Sequence, residues 1–512
     1  MANTRQNVYE LGNDWADPIL WYARGVAAMK KRDLKVTTSW RFYGAIHGID
    51  SPLWTQLGYL SQADQMPAAN VRDRFWKQCQ HGSWHFLPWH RGYLLAFEAN
   101  IRDAVVRAGG PPNWALPYWN YFKPGQNALP PAFASSDWPD GQGNNPLFVA
   151  QRYGPQNDGN VFVPLDQVNL DAMTDPDFTG VTSGGSRGFG GVDTGFEHGG
   201  QFHGGIETQP HDWVHGLVGG GDPQNPQMPG LMSDPDTAGL DPIFWLHHSN
   251  IDRLWEVWRQ NPPTNANPPD PNWINGPGSI GQRIFSMPMP DGSAWDFTPG
   301  DVVDLAKLGY QYDDQTPAVG AISTSDRLVH LGATAAVAKA AAVGVRMTTG
   351  KNVELIGANQ GSLRVVGQDI RTAVRLDQSM RRKVSAKLAA AVQTGQQPDR
   401  VFLNLENVRG LTDATAFRVY VGVPEGADPS QYPDRFVGNI SLFGVRKASV
   451  PSGEHAGQGL TFALEITKII DALHLNNALD VDTLDVRIVP MRPVAEEAKI
   501  SVGRVSIFRQ GT

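Results

Sequence analysis

The chain has one cysteine in 512 residues, Cys79, so no disulfide can form within it and no all-thiolate zinc cage can be assembled. It has no run of about 18 apolar residues that could cross a bilayer as a helix. The first residues, MANTRQNVYELGNDW, lack the basic start and apolar stretch of a secretory signal. Together with the single thiol, this leads us to expect a reducing, cytoplasmic setting. Positive charge is also in deficit: Lys and Arg number 43 against 51 Asp and Glu, a net charge of -8, and nothing resembles a basic stripe. A general polyanion binder is disfavoured, and neither nucleic acid nor membrane is expected as a partner.

What is present is an ordinary globular composition, 41% hydrophobic and 18% charged, on a length that favours two or more domains. Gly 55 and Pro 38 run high, which suggests many ordered loops rather than disorder. The first part reads as helical. Residues 15–32 form an amphipathic pattern, Thr38 or Ser39 can cap a helix through WRFYGAIHGI, and a longer helix runs from near Pro88 to Gly109-Gly110. Asp241-Pro242 is an N-cap followed by the proline favoured at the first helical position, opening IFWLHHSNIDRLWEVWRQ. Between about 121 and 205 the pattern dissolves. The stretch TGVTSGGSRGFGGVDTGFEHGG reads as a long surface loop, with His198 and His203 solvated.

After Tyr312 the character changes, and the boundary falls between 313 and 350. Beyond about 351, alternating segments such as RVFLNL, FRVYVGV, NISLFGV, DVRIVP and ISVGRVSIF suggest a small β-sandwich with one helix at FALEITKIIDAL. The expected fold class is therefore α+β and multidomain, with a mainly α domain at 1–320, a linker at 321–350 and a β-rich domain at 351–512.

The distribution of the 13 histidines is the informative feature. None lies between 91 and 197; His81, His85 and His90 cluster before that gap, His211, His215, His247 and His248 after it, and His47 ends its own helix. His211 and His215 at i, i+4 share one helix face, a spacing suited to a single metal. It is not the zinc-protease pattern, because Asp212 stands where that pattern places glutamate. On the helix after Pro242, Phe244, His248 and Asp252 align, so His248 is the better third ligand. Asp252 can take its free ring proton, and His247 supports or packs. In the earlier cluster, spacing alone leaves His85 able to replace His81 or His90. Any one of these could be a core histidine, but six on four segments point to metal. The segments carry no Glu-x-x-His motif for a di-iron site, and all-imidazole triads with open positions favour copper, which can pass two electrons to dioxygen.

These residues resemble the copper-binding signatures of the tyrosinase, catechol oxidase and molluscan haemocyanin family: HGSWHFLPWHR, HDWVHGLVGG and, most specifically, DPIFWLHHSNIDRLWEVW. SWRFYGAIHG is similar to its first copper-A helix and LGYQYDD to the Tyr-x-Tyr element closing its catalytic domain, while the tail resembles the β-rich C-terminal domain of plant, fungal and haemocyanin members. The resemblance implies a dicopper four-helix bundle, copper A on His47, His81 and His90, and copper B on His211, His215 and His248. It implies a thioether between Cys79 and His81, a water-holding Glu207, an uncrowded mouth at Gly216 and an aromatic Phe244 near the substrate entrance. Where plant-like members have asparagine after the first copper-B histidine, this chain has Asp212, which could help deprotonate a phenol or could abolish the monophenol step. Arg91, Glu98, Asp241, Asp252 and Arg253 flank the ligands and, as buried charges, are expected to form a paired network.

The implied activity is ortho-hydroxylation of monophenols and oxidation of o-diphenols to o-quinones, with two copper ions and dioxygen as co-substrate. A catechol or o-aminophenol oxidase without the first step, and a haemocyanin-like oxygen carrier, are the alternatives. Small phenols are the expected partners. Homo-oligomerisation and a copper-delivery partner are left open. The C-terminal domain is expected to shield the copper mouth.

Overall fold

The computed structural model describes residues 2–225, 228–316, 324–343, 352–451, 457–476 and 482–511. The chain forms two compact units that are not divided by a single cut. One comprises Met1–Asn169, Thr194–Gly199 and Pro210–Pro317; the other comprises Leu170–Asp193, Gly200–Gln209 and Ala318–Thr512.

The first unit is mainly helical. Its principal helices are α1 (Asp17–Lys30), α2 (Trp40–His47), α3 (Phe86–Arg107), α4 (Trp213–Gly219) and α5 (Pro242–Gln260). Local chemistry sets their starts. Ser39 Oγ accepts the Phe42 N–H at 3.2 Å, and the Asp241 carboxylate accepts the Ile243 N–H at 3.0 Å with Pro242 at the first helical position. Helices α3 and α5 meet through Phe97 and Trp245, whose rings stack, and α1 lies close on α3 at Gly25, where a Cβ would come within 2.8 Å of Ile101. A short strand, Asn3–Arg5, pairs in parallel with Tyr310–Tyr312 and brings the chain's start beside the Tyr-x-Tyr element.

That pairing completes a buried charge network. Arg5 Nε donates to Glu98 at 2.9 Å and its Nη1 to Asp252 at 3.3 Å; Arg91 Nε donates to Asp252 at 2.5 Å; the hydroxyls of Tyr310 and Tyr312 donate to the same carboxylate at 2.7 and 2.5 Å. Burial alone would raise the Asp252 carboxyl, but Arg91 and Arg5 outweigh it and hold it below the usual carboxylate range. Arg91 also lies over the Trp255 ring, 3.9 Å from its centroid. Arg91 and Asp252 thus bolt α3 to α5 next to the histidines that both helices carry.

The second unit is built on eight antiparallel strands: β1 (Asn352–Ala358), β2 (Ile370–Leu376), β3 (Arg400–Val408), β4 (Ala416–Val421), β5 (Phe436–Ser441), β6 (Leu460–Glu465), β7 (Thr483–Pro490) and β8 (Arg504–Gly511). They form one sheet in the order β5-β4-β7-β2-β1-β8-β3-β6. The sheet curls until its two end strands face each other, Gly438 of β5 lying opposite Leu464 of β6. This single curled sheet replaces the expected sandwich of two facing sheets. Alternation marks which side of a strand is apolar, and says nothing about whether neighbouring strands close on themselves.

Three other expectations change. Residues 321–350, expected as a linker, contribute helices Thr324–His330 and Ala335–Val343, and Leu328, Ala333 and Ala338 are buried in the second unit; 321–323 and 344–350 lie outside the described residues. Of FALEITKIIDAL, expected as one helix, FALE belongs to strand β6 and the helix is Thr467–Leu475. The glycine-rich stretch is not a solvated loop: residues 184–192 are buried, as are His198 and His203, the former with Nδ1 3.0 Å from the Cys79 carbonyl. Among the described residues, no helix is long and apolar enough to cross a membrane.

Candidate metal centre

In the first unit the histidines converge. His47 is the last residue of α2, Cys79 and His81 lie in the approach to α3, and His90 sits in its first turns. His211 lies in a wide turn, Glu207–Asp212, where Pro210 and an extended Gln209 (φ -143, ψ 125) break the regular helix before α4 delivers His215; His247 and His248 lie on α5. Two groups result. Donor atoms of His47, Cys79, His81 and His90 all lie within 4.8 Å of one another, and so do those of His211, His215, His247 and His248. The groups face each other: the His90 and His248 rings stack at 4.3 Å and the His81 and His211 rings are 5.7 Å apart. All eight side chains are buried.

The ring orientations follow from the far nitrogens. Nδ1 of His47 donates to the Pro235 carbonyl at 2.7 Å, that of His90 to Phe86 at 2.8 Å and that of His215 to Met232 at 2.7 Å. A carbonyl can only accept, so each Nδ1 carries the proton and each Nε2 keeps a lone pair. Nε2 of His215 lies 3.4 Å from that of His248, as two lone pairs aimed at one point would. Burial, with the neighbouring imidazoles, pushes His90, His211, His215 and His248 well below the usual histidine range, so the rings stand neutral and ready to ligate. His211 is held differently: its Nδ1 lies 2.8 Å from Asp212 Oδ1, both residues being fully buried.

Other expected residues fall as follows. His85 is outside both groups, with Nε2 accepting the Trp84 indole N–H at 3.0 Å, and burial pushes it down to about 3. His247 sits in the second group, its Nδ1 3.3 Å from the Tyr121 hydroxyl and its ring stacked on His211 at 5.5 Å. Asp252 does not support His248. Its oxygens are engaged by Arg5, Arg91, Tyr310 and Tyr312, and His248 Nδ1 has no hydrogen-bond partner among the described residues. Sharing a helix face brings the two residues near each other, but buried guanidinium groups compete far better for a carboxylate than a neutral ring does. Phe244 is fully buried, its ring 4.9 Å from that of His47 and 4.2 Å from that of His248. Gly216 follows His215 on α4 and is partly exposed. Cys79 Sγ lies 3.5 and 3.4 Å from the two His81 ring nitrogens and 3.4 Å from His90 Nε2. Within the second unit, the Glu207 carboxylate accepts the Gly204 N–H at 3.3 Å and lies 3.8 Å from His203.

The parts that sequence reasoning missed are Tyr121 beside His247 and the reach of Arg5 into the centre of the network. An arginine this close to the start of the chain gives no such signal; only the parallel pairing of Asn3–Arg5 with Tyr310–Tyr312 brings it there. The donor set itself identifies the metal class. Apart from Cys79, the two groups hold only imidazoles and no bridging carboxylate, which suits copper and does not suit di-iron.

The family model described as the common central domain of tyrosinase matches residues 37–261, and one described as a domain of unknown function (DUF7868) matches 352–510. A tyrosinase from Hahella sp. is 36% identical, over 99% of this chain and 99% of that protein. A chloroplastic polyphenol oxidase of Malus domestica is 25% identical over 80% of this chain and 64% of its own. Among solved structures, latent apple tyrosinase shares the fold, with a TM-score of 0.57 and 20% identity over 99% of this chain and 97% of that one.

Proposed function

Because the chain belongs to the tyrosinase family and is a copper phenol oxidase that uses dioxygen, we propose that it both ortho-hydroxylates monophenols and oxidises o-diphenols to o-quinones. The observation that carries this reading is the pair of buried imidazole groups facing each other in one unit. His47, His81 and His90 would hold copper A, and His211, His215 and His248 copper B, so that α2, α3, α4 and α5 act as the four-helix dicopper bundle. When bound, the copper pair supplies dioxygen activation and accepts two electrons from the phenol. The backbone carbonyls of Phe86, Pro235 and Met232 fix three of the rings before any ion arrives, which lowers the reorganisation needed on loading.

Glu207, four residues before His211, is the candidate to hold a water and receive the phenol proton, and Gly216 leaves room for the substrate ring. Phe244 orders His47 and His248 from the protein side. Cys79 would bond through its sulfur to a ring carbon, Cε1, of His81. The thiol proton and the Cε1 hydrogen would leave, and the two electrons would pass to dioxygen; intact protein would then weigh less by two hydrogens. Residues 351–512 would shield the copper mouth, a reading supported by the fold shared with latent aurone synthase and latent apple tyrosinase.

One observation favours a second reading, a diphenol oxidase without the monophenol step. The Asp212 carboxylate is directed at His211 Nδ1 and is to that extent occupied. Oxygen consumption with tyrosine and with a catechol separates the two. Turnover of both supports the first reading, and turnover of catechol alone the second. Reversible oxygen binding with no turnover of either contradicts both.

A further inference from the structure

Of the six histidines proposed to hold copper, five stand on a helix or, for His211, in a helical turn, so helical hydrogen bonds set their backbones. His81 does not. Residues 78–80 belong to neither helix nor strand, and Gly82 turns the chain at φ +67. An irregular buried segment keeps one path only if neighbouring chain satisfies its polar groups. Here that neighbour is Thr194–Gly199, which belongs to the same unit although the sequence reads it as solvated loop.

The contacts run the length of both segments. His198 Nδ1–H donates to the Cys79 carbonyl at 3.0 Å, and His81 and His198 pair as a single parallel β-bridge. Between them, Gln80 Oε1 accepts the Glu197 N–H at 2.9 Å and its Nε2 donates to the Gln78 carbonyl at 2.8 Å. Beyond His81, Thr194 Oγ1 donates to Ser83 Oγ at 2.8 Å, and the Trp84 indole N–H donates to the Thr194 carbonyl at 2.8 Å. The strap is anchored on its other side, where Gln282 Oε1 accepts the Phe196 N–H at 2.6 Å. Arg283 lies over the Phe196 ring and donates to the carbonyls of Trp76 and Lys77, just before the Cys79 segment. His198 and Gln80 are both buried, so a lost bond there leaves a polar group without water to replace it.

We propose that His198 is a positioning residue for Cys79 and His81, holding both for the thioether and for copper A, with Gln80 coupling the two segments. The inference rests on the thioether and ligand readings given above. Helices preset the other rings; at His81 the strap does that work, and a bond between sulfur and ring carbon forms only between groups held in contact. In that step the Sγ–Cε1 bond forms while the S–H and C–H bonds break, and the two electrons and two protons reduce dioxygen to hydrogen peroxide.

Full-length protein, purified without copper and then loaded in air, tests it. Mass analysis of the peptide containing 79–81 should show wild type losing two hydrogens. His198→Leu keeps a bulky side chain but no donor. It should lose them about tenfold more slowly and surrender one copper to a competing chelator at about a tenth of the concentration. His198→Asn, whose amide N–H can reach the same carbonyl, should restore both. If His198→Leu fails to fold, Gln80→Met, which removes both Gln80 bonds, carries the same expectation. Crosslinking and copper retention at wild-type levels in the donor-free variant overturn the proposal, and so does a loss that His198→Asn does not repair. If wild type itself keeps both hydrogens, the thioether reading fails and copper retention judges the positioning role: a loss in His198→Leu repaired in His198→Asn supports it, and no loss overturns it.

Discussion

The two units bury different kinds of side chain. The first encloses neutral imidazoles, tryptophans and a charge network on Arg5, Arg91, Glu98 and Asp252. The core of the second is almost entirely aliphatic, with Val401, Leu403, Leu405, Val486, Ile488, Val505 and Ile507 among its members. A core that must present open nitrogens to metal cannot be filled with packed methyl groups alone. The first unit gains its rigidity from directed bonds between helices, and the second from excluded volume. Loss of a single atom pair should therefore be felt most in the first unit, and loss of volume most in the second.

The largest effect is expected at Asp252. Replacing it with Asn leaves two buried guanidinium groups short of charge and should destabilise the first unit by roughly 3–5 kcal/mol, read from urea unfolding. The penalty depends on pH in a defined direction. The folded carboxyl titrates below its ordinary value, so its stabilisation is complete above about pH 5 and is lost as the pH falls through the folded pKa. Wild type and Asp252→Asn should therefore converge in stability in acid; a gap that widens there would contradict the network. In the second unit, Leu403→Ala should cost about 3 kcal/mol by leaving a cavity, with little dependence on pH. Ser39→Ala, which removes the cap of α2, should cost about 1 kcal/mol and show as a lower thermal midpoint. Arg364→Ala, at an exposed pair with Glu496, should leave both midpoints unchanged within error.

How much of this is legible in the sequence follows the same division. Helix starts with a chemical signature are legible: Ser39, and Asp241 with Pro242, stand where capping requires them. So are the histidine groups, because i, i+4 spacing and helix faces are local properties. What depends on distant pairing is not. Helix spacing assigns Asp252 to His248, and nothing nearby in sequence shows that Arg5 reaches it instead. The helix Gln378–Thr394 escapes sequence reading although Asp377 caps it and Gly395, at φ +73, ends it, because a positively charged, alanine-rich stretch among strands shows little apolar face. The buried glycine-rich segment reads as solvated loop because its partners, Asn404 and Gln510, lie more than 200 residues away.

Copper content per chain tests the central claim most directly. Element-specific mass spectrometry after dialysis should give two copper ions in wild type and in His85→Ala. One of the two should be lost in His90→Ala, with copper B retained, and one in His248→Ala, with copper A retained. A wild type that holds one ion, or a His248→Ala variant that still holds two, would contradict the two facing imidazole groups as the metal centre.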